Sequence, residues 1–124
     1  MSLEARFEIE ITPSEAVLPT TGRFDFSKAW SGAAQGISKG MMISAGDPAN
    51  GTAGYVAMEV FEGAIDGRSG TLAFYQFGTM VAGVQELRYE IVPGSGTGDL
   101  AGLGGTLALV VDDEGDHHVT FALF

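Results

Sequence analysis

The sequence predicts an all-β protein, a small antiparallel β-barrel of about eight strands forming a single domain over residues 1–124. Three observations carry this expectation. Apolar residues recur with period two, as on a pleated strand with one wet face, and not at the 3.6-residue spacing of a helix. Turn signals punctuate the runs. Asn50-Gly51 and Asp66-Gly67 are the strongest, because both residue types tolerate the positive φ of a type I′ hairpin. The chain is 45% apolar, enough for a real core in one domain of this length. Closing the sheet into a barrel removes the edges that a string of short strands would otherwise expose.

Each strand has its own warrant. Phe7, Ile9 and Ile11 alternate with Glu8, Glu10 and Thr12, which predicts a first strand over 5–12. Pro13, Pro19 and two threonines make 13–21 a loop. Phe24 and Phe26 alternate with Arg23, Asp25 and Ser27, and Trp30 keeps their parity, so a second strand covers 22–32. A third is expected over 35–45. The fourth, 52–64, carries Val56, Met58 and Val60 on one face and Tyr55, Ala57 and Phe61 on the other. The fifth, 69–80, likewise has Leu72 and Phe74 opposite Ala73, Tyr75 and Phe77. Leu87, Tyr89 and Ile91 mark a sixth over 84–92; Leu107, Leu109 and Val111 a seventh over 105–112; Val119, Phe121 and Leu123 an eighth over 117–124. The acidic segment Asp113–Asp116 is a third candidate hairpin turn. Only 98–104 is expected to hold a short helical turn.

Strands apolar on both faces are buried on both faces. In a barrel one face lines the interior, and a second subunit is the simplest cover for the other. A homo-oligomer, a dimer or larger, is therefore expected.

Sixteen acidic residues against six basic ones give a formal charge of −10. Such a chain repels phosphate backbones and anionic lipid heads, which argues against nucleic-acid and membrane partners. The absence of cysteine excludes disulfides, thiolate metal ligands and a thiol nucleophile. The first residues lack a basic stretch followed by an apolar one, and no run nears the roughly 18 apolar residues of a membrane helix. A cytoplasmic protein is expected.

Residues 93–105 read Pro-Gly-Ser-Gly-Thr-Gly-Asp-Leu-Ala-Gly-Leu-Gly-Gly and hold six of the nineteen glycines. This run has no Gly-Lys-Ser/Thr ending and opens no long helix after a parallel strand, so neither a phosphate loop nor a dinucleotide fingerprint fits. It reads as a barrel corner. Together with Gly51-Thr52-Ala53-Gly54-Tyr55-Val56 and Gly67-Arg68-Ser69-Gly70, it resembles a bacterial family known as domain of unknown function 3224, in order from about Gly22 to the C-terminus. The resemblance implies a fold similar to that of allene oxide cyclase and the related dirigent proteins, a small eight-stranded barrel with an apolar interior. It implies no agreed activity. Where many members have Leu-Gln-His, this chain has Phe74-Tyr75-Gln76, so chemistry relying on that histidine would fall to an amide.

Among individual residues Glu59 stands out, with Tyr55, Ala57 and Phe61 as same-face neighbours and no cation beside it on its strand. Desolvation would make it a catalytic acid or base; alternatively it pairs with Arg68, Arg88 or Lys28 of another strand. Trp30, Tyr55, Phe61, Phe74, Gln76 and Tyr89 are the ligand-binding candidates, as bulky or polar groups on the presumed inner face. His117 and His118 are adjacent and point to opposite faces of a strand, so they cannot share one metal. No metal site and no cofactor are expected.

Three functions fit: a barrel binding a lipid-like or polyketide-like small molecule, a cyclase or isomerase that folds its substrate with Glu59 moving a proton, or a non-catalytic barrel packed solid.

Overall fold

The computed structural model describes residues 2–124. Eight antiparallel strands, β1 (Ser2–Ser14), β2 (Thr21–Gly32), β3 (Ala34–Asp47), β4 (Thr52–Ile65), β5 (Arg68–Val81), β6 (Val84–Ile91), β7 (Gly105–Val111) and β8 (His117–Leu123), follow one another around a closed barrel. Each pairs with the next, and β1 closes the ring on β8 from Ser2↔Ala122 to Phe7↔His117. The architecture is the expected one, with strand limits differing from the sequence reading by a few residues. β1 runs on to Ser14, through Pro13.

The turns follow local backbone chemistry. Asp66 and Gly67 take φ of 52° and 76°, as an Asp-Gly type I′ turn requires. Ala82-Gly83 makes a similar two-residue link at φ 50° and 80°. The β3–β4 connection departs from the expected hairpin. Pro48–Asn50 forms a 3₁₀ turn capped by the Asp47 carboxylate on the Ala49 amide, and only Gly51 reaches positive φ. Proline fixes φ for a helical first position, which favours this turn over a tight one centred on Asn50.

The glycine-rich segment is a corner. β5 pairs with β6 only from Phe74 to Val81, leaving its first half without a strand partner on that side. Residues 92–97 fold across this edge. Val92 donates its amide to the Ala73 carbonyl and Thr97 its amide to Thr71; Ser95 Oγ accepts from the Ala73 amide. A Cβ on Gly70 would collide with the Thr97 carbonyl oxygen, and one on Gly96 with that of Leu100. Glycine here permits close backbone approach. A second 3₁₀ turn, Gly98–Leu100, then drives Leu100 fully into the core.

The interior is layered along the barrel axis. Ile65, Leu72, Leu100 and Phe121 are buried in the core, Phe121 about 6 Å from the rings of Trp30 and Phe74. Trp30, Phe61 and Phe74 pack with ring centroids about 6 Å apart; Trp30 meets the other two at 89° and 63°, the edge-to-face geometry that the aromatic quadrupole favours, while Phe61 and Phe74 are tilted by 34°. Lys28, Ser38, Glu59 and Tyr89 form the next layer, and the barrel mouth lies beyond.

Candidate functional site

The polar layer is built by neighbouring strands. Register sets Lys28 of β2 opposite Ser38 of β3, and Glu59 of β4 opposite Gly40. A Cβ at Gly40 would collide with the Phe26 ring and lie 2.8 Å from Glu59 Cβ, so this glycine leaves room for both side chains. Lys28 and Glu59 are 4% and 3% exposed, which leaves little water to solvate either charge.

Their partners replace that water. Lys28 Nζ donates to Glu59 Oε1 at 2.8 Å and to the Tyr89 hydroxyl at 2.9 Å. Tyr89 in turn donates to Oε1 at 2.6 Å. On the other side, Trp30 Nε1 donates to Ser38 Oγ at 3.0 Å, and Ser38 donates to Glu59 Oε2 at 2.5 Å. Lys28 Nζ also lies 4.3 Å from the Phe7 ring centroid, within cation–π range. Burial pushes the Lys28 ammonium below the usual lysine range, and the Glu59 carboxylate opposes that shift. Tyr89 is raised well above an ordinary phenol, first by burial and then by the negative charge of Glu59.

Above this layer the barrel opens into a cavity of about 150 Å³. Its walls are mostly hydrocarbon: Phe7, Ile9, Ile11, Phe26, Met42, Ala57 and Leu109. Its polar lining is Lys28, Tyr55, Gln76 and His117. Tyr55 and Gln76 hydrogen-bond to each other at 2.5 Å across β4 and β5. Burial raises the Tyr55 phenol, partly offset by the Gln76 bond. A Cβ on Gly78 would lie 2.6 Å from Tyr55 Cε1, so glycine here leaves the space the tyrosine ring fills. His117 stacks on Phe7 with centroids 4.8 Å apart.

The structure thus divides the sequence-predicted residues. Tyr55 and Gln76 line the cavity. Trp30, Phe61, Phe74 and Tyr89 are buried beneath it, between 0% and 6% exposed. Glu59 is inside the barrel and pairs with Lys28, one of its three expected partners; Arg68 and Arg88 lie elsewhere. Sequence reasoning named Lys28 only as one of three possible partners of Glu59, and missed Ser38 as an interior group and Ile9, Phe26, Met42, Leu109 and His117 as cavity walls. The signal for Lys28 was its parity, shared with Phe24, Phe26 and Trp30.

The two histidines do point apart. His118 lies outside, 2.7 Å from Asp112 Oδ2, and with Asp116 these groups come within 4.8 Å of one another. They belong to the β7–β8 turn. Asp112 Oδ1 accepts from the amides of Glu114 and Asp116, while Asp116 pairs with Arg6 at 3.1 Å. The His118 hydrogen bond, helped by those amides, holds the Asp112 carboxyl below its usual range.

A closed eight-stranded antiparallel barrel with a charged pair across its interior and an open apolar mouth is the class of protein these features define. Residues 3–123 match the family described as protein of unknown function (DUF3224), and the chain belongs to that family. A crystal structure of a DUF3224 protein of unknown function from Shewanella oneidensis MR-1 superposes with a TM-score of 0.92 at 34% identity, covering 100% of this chain and 96% of that one. No curated protein matches the chain.

Proposed function

We propose that the protein binds a small, largely apolar molecule in the barrel mouth. One observation carries the reading: the lower barrel is packed solid with aromatic rings, yet a cavity of about 150 Å³ remains above the polar layer. A cavity of about this size, apolar on most of its walls, accommodates a benzene-sized molecule. The ligand, or the part of it that enters, is therefore the size of one ring, a portion of the lipid-like or polyketide-like molecule expected from sequence. Longer substituents would extend through the open mouth.

The cyclase or isomerase alternative, favoured by resemblance to allene oxide cyclase, has less support. Glu59 is held by Lys28, Tyr89 and Ser38 and is not among the residues lining the cavity. Its geometry fits a positioning role, fixing Lys28 and the floor of the site. The wholly packed alternative is disfavoured by the cavity itself.

Ethylbenzene titrated into isotopically labelled protein should shift the methyl resonances of Ile9, Met42 and Leu109 in a saturable way. Ala57→Phe, which places a ring in the cavity, should abolish those shifts while retaining the native spectrum elsewhere. Equal binding by the filled variant, or no saturable shift in the native protein, would count against the mouth as a ligand site.

A further inference from the structure

We infer that the barrel takes up a ring-sized aldehyde and holds it covalently, as an iminium on Lys28. The inference rests on the cavity being the binding site and adds a reaction at its floor. The chain has two lysines, in opposite settings. Lys39 is exposed on β3. Lys28 is 4% exposed, yet it lines the hydrocarbon cavity, so a benzene-sized molecule seated there lies against it.

The amine is oriented. Two of the three N–H groups of Nζ are directed to Glu59 Oε1 and the Tyr89 hydroxyl, neither of which belongs to the cavity wall. The third has no acceptor among the described residues. On the cavity side Nζ faces the rings of Phe7 and Phe26, with centroids 4.3 and 5.2 Å away, and both rings are cavity walls. Loss of that third proton leaves a lone pair on the cavity side, while Glu59 and Tyr89 go on accepting the other two. A desolvated lysine of this kind is a nucleophile toward carbonyl carbon. Burial already holds Lys28 below the usual lysine range.

The reaction balances within the site. The third ammonium proton passes to water at the open mouth. The Nζ lone pair then forms a C–N bond to the aldehyde carbon as the C=O π bond breaks, giving a carbinolamine. Its oxygen leaves as water, carrying one proton from nitrogen and one returned by solvent, and a C=N bond forms. The iminium keeps one N–H and the positive charge, so Glu59 still faces a cation. An aldehyde is the class named because its carbonyl carbon, bearing a hydrogen, is the least crowded for attack between ring walls.

Benzaldehyde with cyanoborohydride, which reduces an iminium to a stable benzylamine, traps the adduct on the native protein for peptide mass mapping. Lys28 should be benzylated on the order of ten-fold faster than exposed Lys39, because the neutral amine is the species that reacts and burial favours it. Ethylbenzene should compete for the cavity and slow labelling of Lys28, and Ala57→Phe should suppress it, both leaving Lys39 unchanged. Labelling of Lys39 without Lys28, with ethylbenzene still shifting the cavity methyls, would overturn the iminium and leave the cavity reading intact. So would labelling of Lys28 that ethylbenzene does not slow, since the amine would then be reacting from an opened barrel. Absence of both Lys28 labelling and a saturable ethylbenzene shift would overturn both readings.

Discussion

At the scale of single residues, the Lys28–Glu59 pair sets the terms. Two charges this deeply buried are tolerated because every side-chain nitrogen and oxygen buried around them has a hydrogen-bond partner among the described residues. Removing one partner strands the other charge, which typically costs about 3–5 kcal/mol. Lys28→Met should therefore lower the urea-unfolding free energy by about that much. Lys28→Met/Glu59→Gln removes both charges yet retains an amide that accepts from Tyr89 and reaches Ser38, and it should recover most of the loss. A double variant as unstable as the single one would show that packing of the lysine stem, and not the stranded charge, dominates. The sequence displayed Glu59 as an anomaly because a carboxylate shared its face with Tyr55, Ala57 and Phe61. It left Lys28 as one of three possible partners, since a lysine between Ser27 and Ala29 reads as a wet position unless its parity with Phe26 and Trp30 is followed through. Choosing Lys28 over Arg68 or Arg88 requires the register across three strands, which no single strand contains.

At the scale of elements, glycine placement decides how strands and corners approach. Gly78 lies opposite Tyr55 in the β4–β5 register, and its missing side chain is where the tyrosine ring sits. Gly78→Ala should displace that ring and weaken ethylbenzene binding several-fold, with a loss of stability on the order of 1–3 kcal/mol from overpacking. Unchanged affinity and methyl shifts would show that the mouth tolerates a moved Tyr55. The strands themselves were legible because period two is a local signal, clearest where one face is wet as in β1 and β6, and because turn residues bound β4 and β5, which are apolar on both faces. The 3₁₀ turn at Pro48–Asn50 was not, because Asn50-Gly51 carries an equally local signal for a tighter hairpin and Pro48 overrides it only once β3 has continued to Asp47. The corner was readable as a corner from its glycine density. That it covers the unpaired half of β5 depends on where β6 stops, a long-range fact.

At the scale of the whole molecule, the outer face of β3, β4 and β5 carries Ile37, Met41, Val56, Met58, Val60 and Phe77, each 40–57% exposed. A broad groove across it is lined by Met41, Ile43, Val56, Met58, Tyr75 and Phe77. We propose that a second copy of the chain covers this face. Two molecules of charge −10 repel, but the flanks here carry the internally neutralised pairs Arg23–Asp25 and Arg88–Glu90, and Lys39 adds a positive charge. The face is thus a region of low net charge on an acidic molecule, where self-contact meets the least repulsion. Light scattering should give at least twice the 12.9 kDa chain mass, and Met58→Lys should shift the protein toward the monomer without lowering ligand affinity. A native protein that stays monomeric at high concentration would remove a second copy as the cover.

The closure of β1 on β8 has a consequence for how the chain comes together in time. Seven of the eight strand pairings join neighbours in sequence, and all of these except β6–β7, whose strands are separated by the glycine-rich corner, can form as local hairpins. The eighth joins Ser2–Phe7 to His117–Ala122 and must span nearly the whole chain. Contacts of such sequence separation are slow to form, because loop-closure entropy is lost before the pairing contributes. A sheet lacking that pairing would have two free edges, and the β1–β8 contact turns both from pairing-prone surfaces into the inside of a seam.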